Sequence, residues 1–345
     1  MELKRIGVDT SKAVFTLHGV DAEGRVALRQ ELSRSGFESF MAKRAPVEVV
    51  LEACGGSHHW GRVLTAQGHR VRLIPAQYVR PFVRRGKNDR ADAEAICAAA
   101  AQPGMAEVPV REAQRQAKAV VVGVRELLVR QRTQLINALR GHAMEFGVVA
   151  AKGPAQVGPL LERLEAEAAG VPEAARASLR VLGEEVGRLE ERIGELDRQL
   201  REQAKADPVA RRLAEVPGIG PVTAATLSLV VEAGQFRSGR HFAAWLGLTP
   251  KEHSTGGKVR LGGISRAGNE RLRALLVVGA MAVIRHARPS RDSASPWLLA
   301  LLERRPRKLA AVALANKMAR WVWAMMARGE AWRAPGAAKP APAAA

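Results

Sequence analysis

Cysteine is nearly missing from this 345-residue chain, which has two, Cys54 and Cys97. They lie far apart and neither has a second cysteine at metal-ligand spacing, which excludes a disulfide framework and a zinc knuckle. Lone thiols fit a reducing cytoplasm. Long apolar runs are missing as well: none approaches the roughly 18 residues of a membrane-crossing helix. The longest apolar stretches, Leu275–Ile284 and Ala310–Met326, carry helical periodicity or internal charge and read as buried helices. No charged-then-apolar leader precedes a small-residue cleavage site. The expectation is a soluble cytoplasmic protein with no membrane partner. Acids are the third shortage: 34 Asp and Glu stand against 54 Lys and Arg, a net charge of +20. Arg- and Ala-rich coding accounts for part of that composition, but not for so large an excess over acids. A compact chain with such a surplus repels itself unless it meets a polyanion, and nucleic acid is the default partner. With 47% hydrophobic residues the chain can bury a sizeable core, and its length suits about two domains plus connecting material.

The first hundred residues alternate strand and helix signals. Leu3–Val8 is an apolar run ending at Asp9, and Val14–Val20 alternates. Asp21–Gly24 supplies a hairpin turn into Arg25–Leu32. Gly36–Lys43 reads as a helix, Val47–Leu51 as a strand ending at Glu52, His58–Gln67 as a helix, Arg70–Ile74 as a strand, and Ala91–Ala101 as a helix. Three opening strands followed by alternating helices and strands describe an α/β domain with a mixed sheet, in the order of the ribonuclease-H-like (RuvC-like) fold.

That order gives the carboxylates their interest. Asp9 and Glu52 fall at strand ends, and Asp89 and Asp92 are three apart at the start of a helix, hence on one face. Together the four would repel, and a pair of hard divalent cations would relieve the repulsion and suit phosphoryl transfer. Ordinary solvated acids at element ends are the plainer alternative. Around the last pair the charge changes sign, with Arg80, Arg84, Arg85, Lys87 and Arg90 placed to hold a phosphate backbone.

Arg111–Phe146 reads as one or two long helices, with Val121, Val124, Leu128, Leu135 and Leu139 as the apolar stripe and Arg132 and Arg140 among the basic residues on other faces. Leu179, Leu182, Val186, Leu189, Ile193, Leu196 and Leu200 then form an unbroken heptad. A coiled coil between subunits is the expectation, with packing against the preceding helix inside one chain as the alternative. Val216–Gly220 followed by an apolar helix is a helix-hairpin-helix signature, in which Gly218 and Gly220 would let backbone amides approach a phosphate; a short glycine-rich connection is the alternative. Farther on, His253-Ser254-Thr255-Gly256-Gly257-Lys258 with Arg260 close by would make an exposed phosphate-contacting loop. A serine there is a candidate nucleophile, although such a segment is more often only a turn.

Taken in order, Gly7-Val8-Asp9-Thr10-Ser11-Lys12, Leu51-Glu52-Ala53, Asn88-Asp89-Arg90-Ala91-Asp92-Ala93, the run from Arg130 to His142, Pro217-Gly218-Ile219-Gly220 and Leu248-Thr249-Pro250 resemble a known family. It is the insertion-sequence transposases with an N-terminal Asp-Glu-Asp-Asp (RuvC-like) domain and a C-terminal transposase domain, related to the pilin-gene invertases. The resemblance implies DNA recombination through a Holliday-junction-like intermediate, with donor and target DNA as partners. It implies Mg2+ held by Asp9, Glu52, Asp89 and Asp92, and a transient covalent link from a serine, here Ser254 with Thr255 as the fallback. It also implies a structured guide RNA encoded by the element and a homo-dimer or higher oligomer, joined through the coiled coil, that builds a composite active site. Arg84, Arg85, Lys87, Arg132, Arg140, Gly218, Gly220, Lys258 and Arg260 are the expected nucleic-acid contacts. The expected division is a metal-binding domain over 1–105, long helices and coiled coil over 106–208, and a mainly α transposase domain over 209–328, then a disordered Ala/Pro tail over 329–345. A junction nuclease that cuts with water and forms no covalent intermediate is the competing activity.

Overall fold

The computed structural model describes residues 2–83, 88–166, 170–287 and 295–333. The chain divides into two compact units, Met1–Gln116 and Ala117–Ala345.

The first unit is built on a five-stranded sheet of order β3-β2-β1-β4-β5. Its strands are β1 (Arg5–Thr10), β2 (Val14–Val20), β3 (Val26–Ser33), β4 (Glu48–Glu52) and β5 (Arg70–Ile74). β1, β2 and β3 form an antiparallel meander, whereas β4 and β5 run parallel to β1. The turn between β2 and β3 is closed by Asp21, whose carboxylate accepts from the Glu23 and Arg25 amides. Helices α1 (Arg34–Ala42), α2 (Ser57–Ala66), α3 (Ala76–Val79) and α4 (Asp89–Ala100) complete the unit. α1 starts two residues before the predicted Gly36 because the Ser33 hydroxyl caps it, accepting from the Gly36 amide at 3.1 Å.

Side chains alternate across a strand, and the cores follow that parity. Ile6, Val8, Val49, Leu51, Phe15 and Leu17 face α1 and α2, where Phe37, Met41, Trp60 and Leu64 close the core. Val50 and Ile74 face the other way and pack with Ala95, Ile96 and Ala99 of α4. Gly7, Asp9 and Glu52 share the parity of that second face. At Gly7 the helix lies flush on the strand: a Cβ there would sit 2.5 Å from the Ala93 carbonyl oxygen and 2.8 Å from Cys97. We expect Gly7→Val to cost about 3 kcal/mol in chemical denaturation through overpacking. Because it lifts α4 from β1, it should abolish divalent-cation binding even at temperatures where the variant remains folded.

The first unit extends past the predicted boundary at 105. Val108 donates to the Leu73 carbonyl at 2.8 Å, and the Arg111 carbonyl accepts from Arg62, so this segment is tied to the sheet domain.

The second unit is mainly helical: α5 (Ala113–Met144), whose first turn contains the unit boundary, α6 (Val157–Ala166), α7 (Glu173–Ala206), α8 (Pro208–Leu213), α9 (Pro221–Val230), α10 (Gly239–Trp245), α11 (Glu270–His286), α12 (Pro296–Arg304) and α13 (Arg307–Arg328). The predicted break near 208 separates no compact unit, because Val122, Leu200 and Ala204 share one core with α8 to α13. In that core α13 presents Ala310, Ala311, Ala315 and Ala319, all buried, whose small side chains admit α10 and α11 closely. Trp323 is anchored by its indole N–H, which donates to the Ala233 and Phe236 carbonyls.

The heptad forms one unbroken helix, and part of its seam is covered by the same chain. Leu179, Val186, Ile193 and Leu200 are buried, with Leu179 and Val186 packed among Ile136 and Leu139 of α5 and Leu160 and Leu164 of α6. Arg125 pairs with Asp197, and Arg132 with Glu190, along the same contact. The buried positions thus serve packing within the chain, whereas Leu182, Leu189 and Leu196, the other half of the heptad, are only half-buried. Gly183, which weakens an isolated helix, gives room to Leu161, whose Cδ1 would be 2.4 Å from a Cβ there. On α5, Val124 of the predicted apolar stripe is exposed and Val122 takes its place in the core. α13 ends at Gly329 in the left-handed region, φ +68°. No helix is long and apolar enough to cross a membrane among the described residues.

Candidate metal centre and serine hairpin

The flush contact at Gly7 determines what Asp9 meets. Asp9 lies two residues farther along β1 on the same face, and α4 runs back along the strand with its first turn toward the same end. Asn88 caps that turn, its side chain accepting from the Ala91 amide at 2.8 Å. Asp89 and Asp92 occupy the first turn, where the helix dipole favours negative charge. The outcome is that carboxylate oxygens of Asp9, Asp89 and Asp92 all lie within 4.8 Å of one another. β1 and β4 pair in parallel with Val8 opposite Leu51, so one further step of the register sets Asp9 beside Glu52. Glu52 falls outside the 4.8 Å group, yet its charge acts on Asp9.

The electrostatic result is concentrated on Asp9. Partial burial, then the charges of Asp92, Asp89 and Glu52, push its carboxyl up to about 6 from an ordinary 3.8. Burial and three like-charged neighbours together disfavour the ionised form of this carboxyl. Hard all-oxygen donors so closely spaced fit a hard divalent cation, and the residues present therefore suit a Mg2+-type ion.

The basic residues expected around this centre are distributed differently. Arg90 reaches sideways to Glu31 on β3 at 2.9 Å. Arg84, Arg85 and Lys87 lie outside the described residues. Arg132 pairs with Glu190 at 3.7 Å, and Arg140 donates to the Ala150 carbonyl at 3.0 Å. These two predicted nucleic-acid contacts are thus engaged in holding α5 to its own unit.

Gly218 also has an internal role. It sits in the turn between α8 and α9 at φ +87°, and a Cβ on it would be 2.7 Å from the Gly279 carbonyl oxygen of α11. The glycine predicted for close phosphate approach is also required for close helix approach. Gly220 is different: it is exposed and precedes α9, and a Cβ there meets no atom within 4 Å.

Ser254 lies in a hairpin, where the sequence pattern predicts an exposed loop. Strands β6 (Pro250–Glu252) and β7 (Leu261–Ile264) pair antiparallel. Thr255 and Lys258 bridge at the tip around Gly256 and Gly257, at φ +55° and +76°. Two successive positive φ values define the two-residue turn that favours a tight hairpin, and the Gly-Gly pair was its sequence signal. The hairpin is rooted by the Ser265 amide donating to the Thr249 carbonyl at 2.8 Å and by Arg273, which donates to the Leu246 and Ala267 carbonyls.

Between the tip bridge and the Glu252–Leu261 pair, the register sets Ser254 opposite Val259 and His253 opposite Arg260. The His253 amide donates to the Arg260 carbonyl at 2.8 Å, whereas the Arg260 amide donates to the Ser254 hydroxyl oxygen at 3.2 Å. That bond leaves the hydroxyl proton available and favours negative charge on the oxygen. Neighbouring residues alternate faces, so His253, adjacent in sequence, belongs to the opposite face from Ser254. Lys258 and Arg260 are exposed, as predicted for phosphate contacts. Ser254 belongs to the second unit and the three clustered acids to the first.

Known proteins align with both units. Residues 6–146 match a DEDD-type transposase profile of the IS110 group, and residues 210–294 match the profile described as "Transposase IS116/IS110/IS902 family". A protein of Sinorhizobium fredii carrying the transposase name y4pF/y4sB is 51% identical over 334 residues, covering 96% of this chain and 86% of its own length. The transposase for insertion sequence element IS1111A of Coxiella burnetii is 39% identical, covering 96% of this chain and 92% of its own length. The transposase for insertion sequence element IS1328 of Yersinia enterocolitica is 37% identical, with 94% and 97% covered. With the acidic centre in one matched region and the serine hairpin in the other, the chain belongs to the IS110/IS116/IS902 family of insertion-sequence transposases.

Proposed function

We propose that this transposase exchanges DNA strands between donor and target through a covalent serine–DNA intermediate, with the carboxylate centre of a ribonuclease-H-like domain as its metal site. The observation that carries the reading is the convergence of Asp9, Asp89 and Asp92 within 4.8 Å, beside Glu52, in a chain of net charge +20. Asp9, Asp89 and Asp92 would hold Mg2+, with Glu52 adding charge from β4. A cation bound there supplies Lewis-acid charge against the anionic phosphodiester.

Ser254 provides the nucleophile. Its Oγ attacks phosphorus; the Oγ–P bond forms as the bond to the neighbouring nucleotide's oxygen breaks, and that oxygen takes the proton the hydroxyl gives up. The Arg260 amide steadies the serine oxygen while its charge develops, and exposed Lys258 and Arg260 hold the phosphates. Attack by a hydroxyl of the other DNA reverses the step and completes the exchange. A structured transcript of the element supplies target choice, which agrees with a hairpin whose exposed cations suit backbone better than base readout. A homo-oligomer brings donor and target together, with the half-buried heptad positions Leu182, Leu189 and Leu196 of α7 as its contact.

The test is strand exchange by purified protein, with the flanking transcript, on duplexes carrying the element's two boundaries. Junction products should require a divalent cation and vanish with chelator, while DNA binding persists. Cation-independent exchange would defeat the proposal.

A further inference from the structure

The hairpin of Ser254 holds two aliphatic side chains that cover nothing. Val259 is 74% exposed and Leu261 63% exposed, and Val259 is the most exposed large hydrophobic residue among those described. By the register they lie on the Ser254 side of the hairpin, Val259 directly opposite Ser254 and Leu261 opposite Glu252. Lys251, His253, Lys258 and Arg260 alternate onto the other side, and all four are exposed. β6 is exposed along its whole length and β7 along most of it, so no core lies beneath the arm among the described residues. A two-stranded hairpin alone is marginal in water, and two bare aliphatics on one face add to the need for a cover.

The cover is defined by what surrounds them. A surface that is cationic on one side and apolar on the other suits a polymer with charged edges and flat apolar faces, which describes a nucleic acid. Apolar side chains used against DNA enter between base pairs and unstack a step. We propose that Val259 and Leu261 are a wedge that unstacks the base step beside the scissile phosphate, while the cationic face follows the flanking backbone. Unstacking would turn the phosphate out of the regular helix toward the face that carries Ser254. This inference rests on the reading of Ser254 as the nucleophile and adds to it the residues that select and deform its substrate. Double-stranded DNA is the partner.

The experiment places 2-aminopurine, whose fluorescence rises on unstacking, at successive adenines of the boundary duplexes. The full chain carries Ser254→Ala so that the DNA stays intact, and binding is followed in parallel by gel shift. A several-fold rise confined to one step is expected on binding. It should be lost in Val259→Ser/Leu261→Ser and kept in Val259→Leu, each read at protein concentrations that saturate the duplex in the gel shift. Both serine substitutions are at exposed positions, and an unaltered melting temperature verifies the fold. Three results would overturn the wedge: bound DNA with no rise at any position, an undiminished rise in the double variant, or unstacking found only in the RNA transcript. Failure of the nucleophile reading is separately visible, because unstacking would persist while protein with Ser254 intact gave no DNA adduct.

Discussion

Asp9→Asn is expected to abolish strand exchange and, in metal-free protein above pH 6, to make the fold more stable. The two effects have one cause. Asp9 is pushed up to about 6 from 3.8 by partial burial and by the charges of Asp92, Asp89 and Glu52. Between those two values the unfolded chain has released the proton and the folded chain still holds it, so stability falls as pH rises. Above about 6 both states are ionised and the penalty is complete, on the order of 1–2 kcal/mol once solvent screening of this half-exposed carboxyl is discounted. Asp9→Asn removes it. We expect thermal unfolding in chelator at pH 7.5 to shift upward by a few degrees, the gain shrinking through the window and disappearing near about pH 4. With Mg2+ added the order reverses: the wild type gains stability through ligand linkage and the asparagine variant does not. Lower stability of Asp9→Asn in chelator at pH 7.5 would show that the carboxylate is an ordinary structural acid.

Serine 254 gives the second large effect. Ser254→Ala should remove the covalent protein–DNA adduct from denaturing gels and reduce strand exchange by several orders of magnitude, since no alternative oxygen occupies its place in the hairpin. DNA and RNA binding should be retained, because the Arg260 amide is on an exposed arm and can turn to water. Thr255→Val should keep the adduct, because Thr255 serves the turn: its carbonyl accepts from the Lys258 amide at 3.0 Å. An adduct that survives Ser254→Ala and disappears in Thr255→Val would transfer the role to the threonine. Strand cutting by the wild type without any adduct, and retained in Ser254→Ala, would favour the hydrolytic nuclease.

Much of the first unit was legible because its chemistry is local. The Val14–Val20 and Arg70–Ile74 strands coincide with the sequence reading, since alternation and turn residues bound them directly. The placement of Asp9 near the acids of α4 was legible only as a consequence of fold order. The device that achieves it, the bare backbone at Gly7 against Ala93 and Cys97, depends on a contact between residues about 90 apart and leaves no local signal. The same holds for Gly218 against Gly279: a glycine in a turn reads as a turn, and its packing partner lies on a helix some 60 residues away. The heptad was read correctly as one long helix, but periodicity states that a face is apolar and is silent on which helices cover it. The serine segment reads as a loop in sequence because its strands are short and exposed, so they lack the half-buried alternation that marks a strand. Its Gly256-Gly257 turn was the available clue.

The central claim is that the first unit's carboxylates gather around divalent cations, and calorimetric titration of the purified protein with Mn2+, as a stand-in for Mg2+, addresses it most directly. The wild type should bind saturably, with affinity that rises from pH 5 to pH 7 as Asp9 gives up its proton, and Asp9→Asn/Asp89→Asn/Asp92→Asn should give only the heat of dilution. Equal binding by the wild type and the triple variant would mean that these acids do not hold the metal, and the proposed site of catalysis would have to be sought elsewhere.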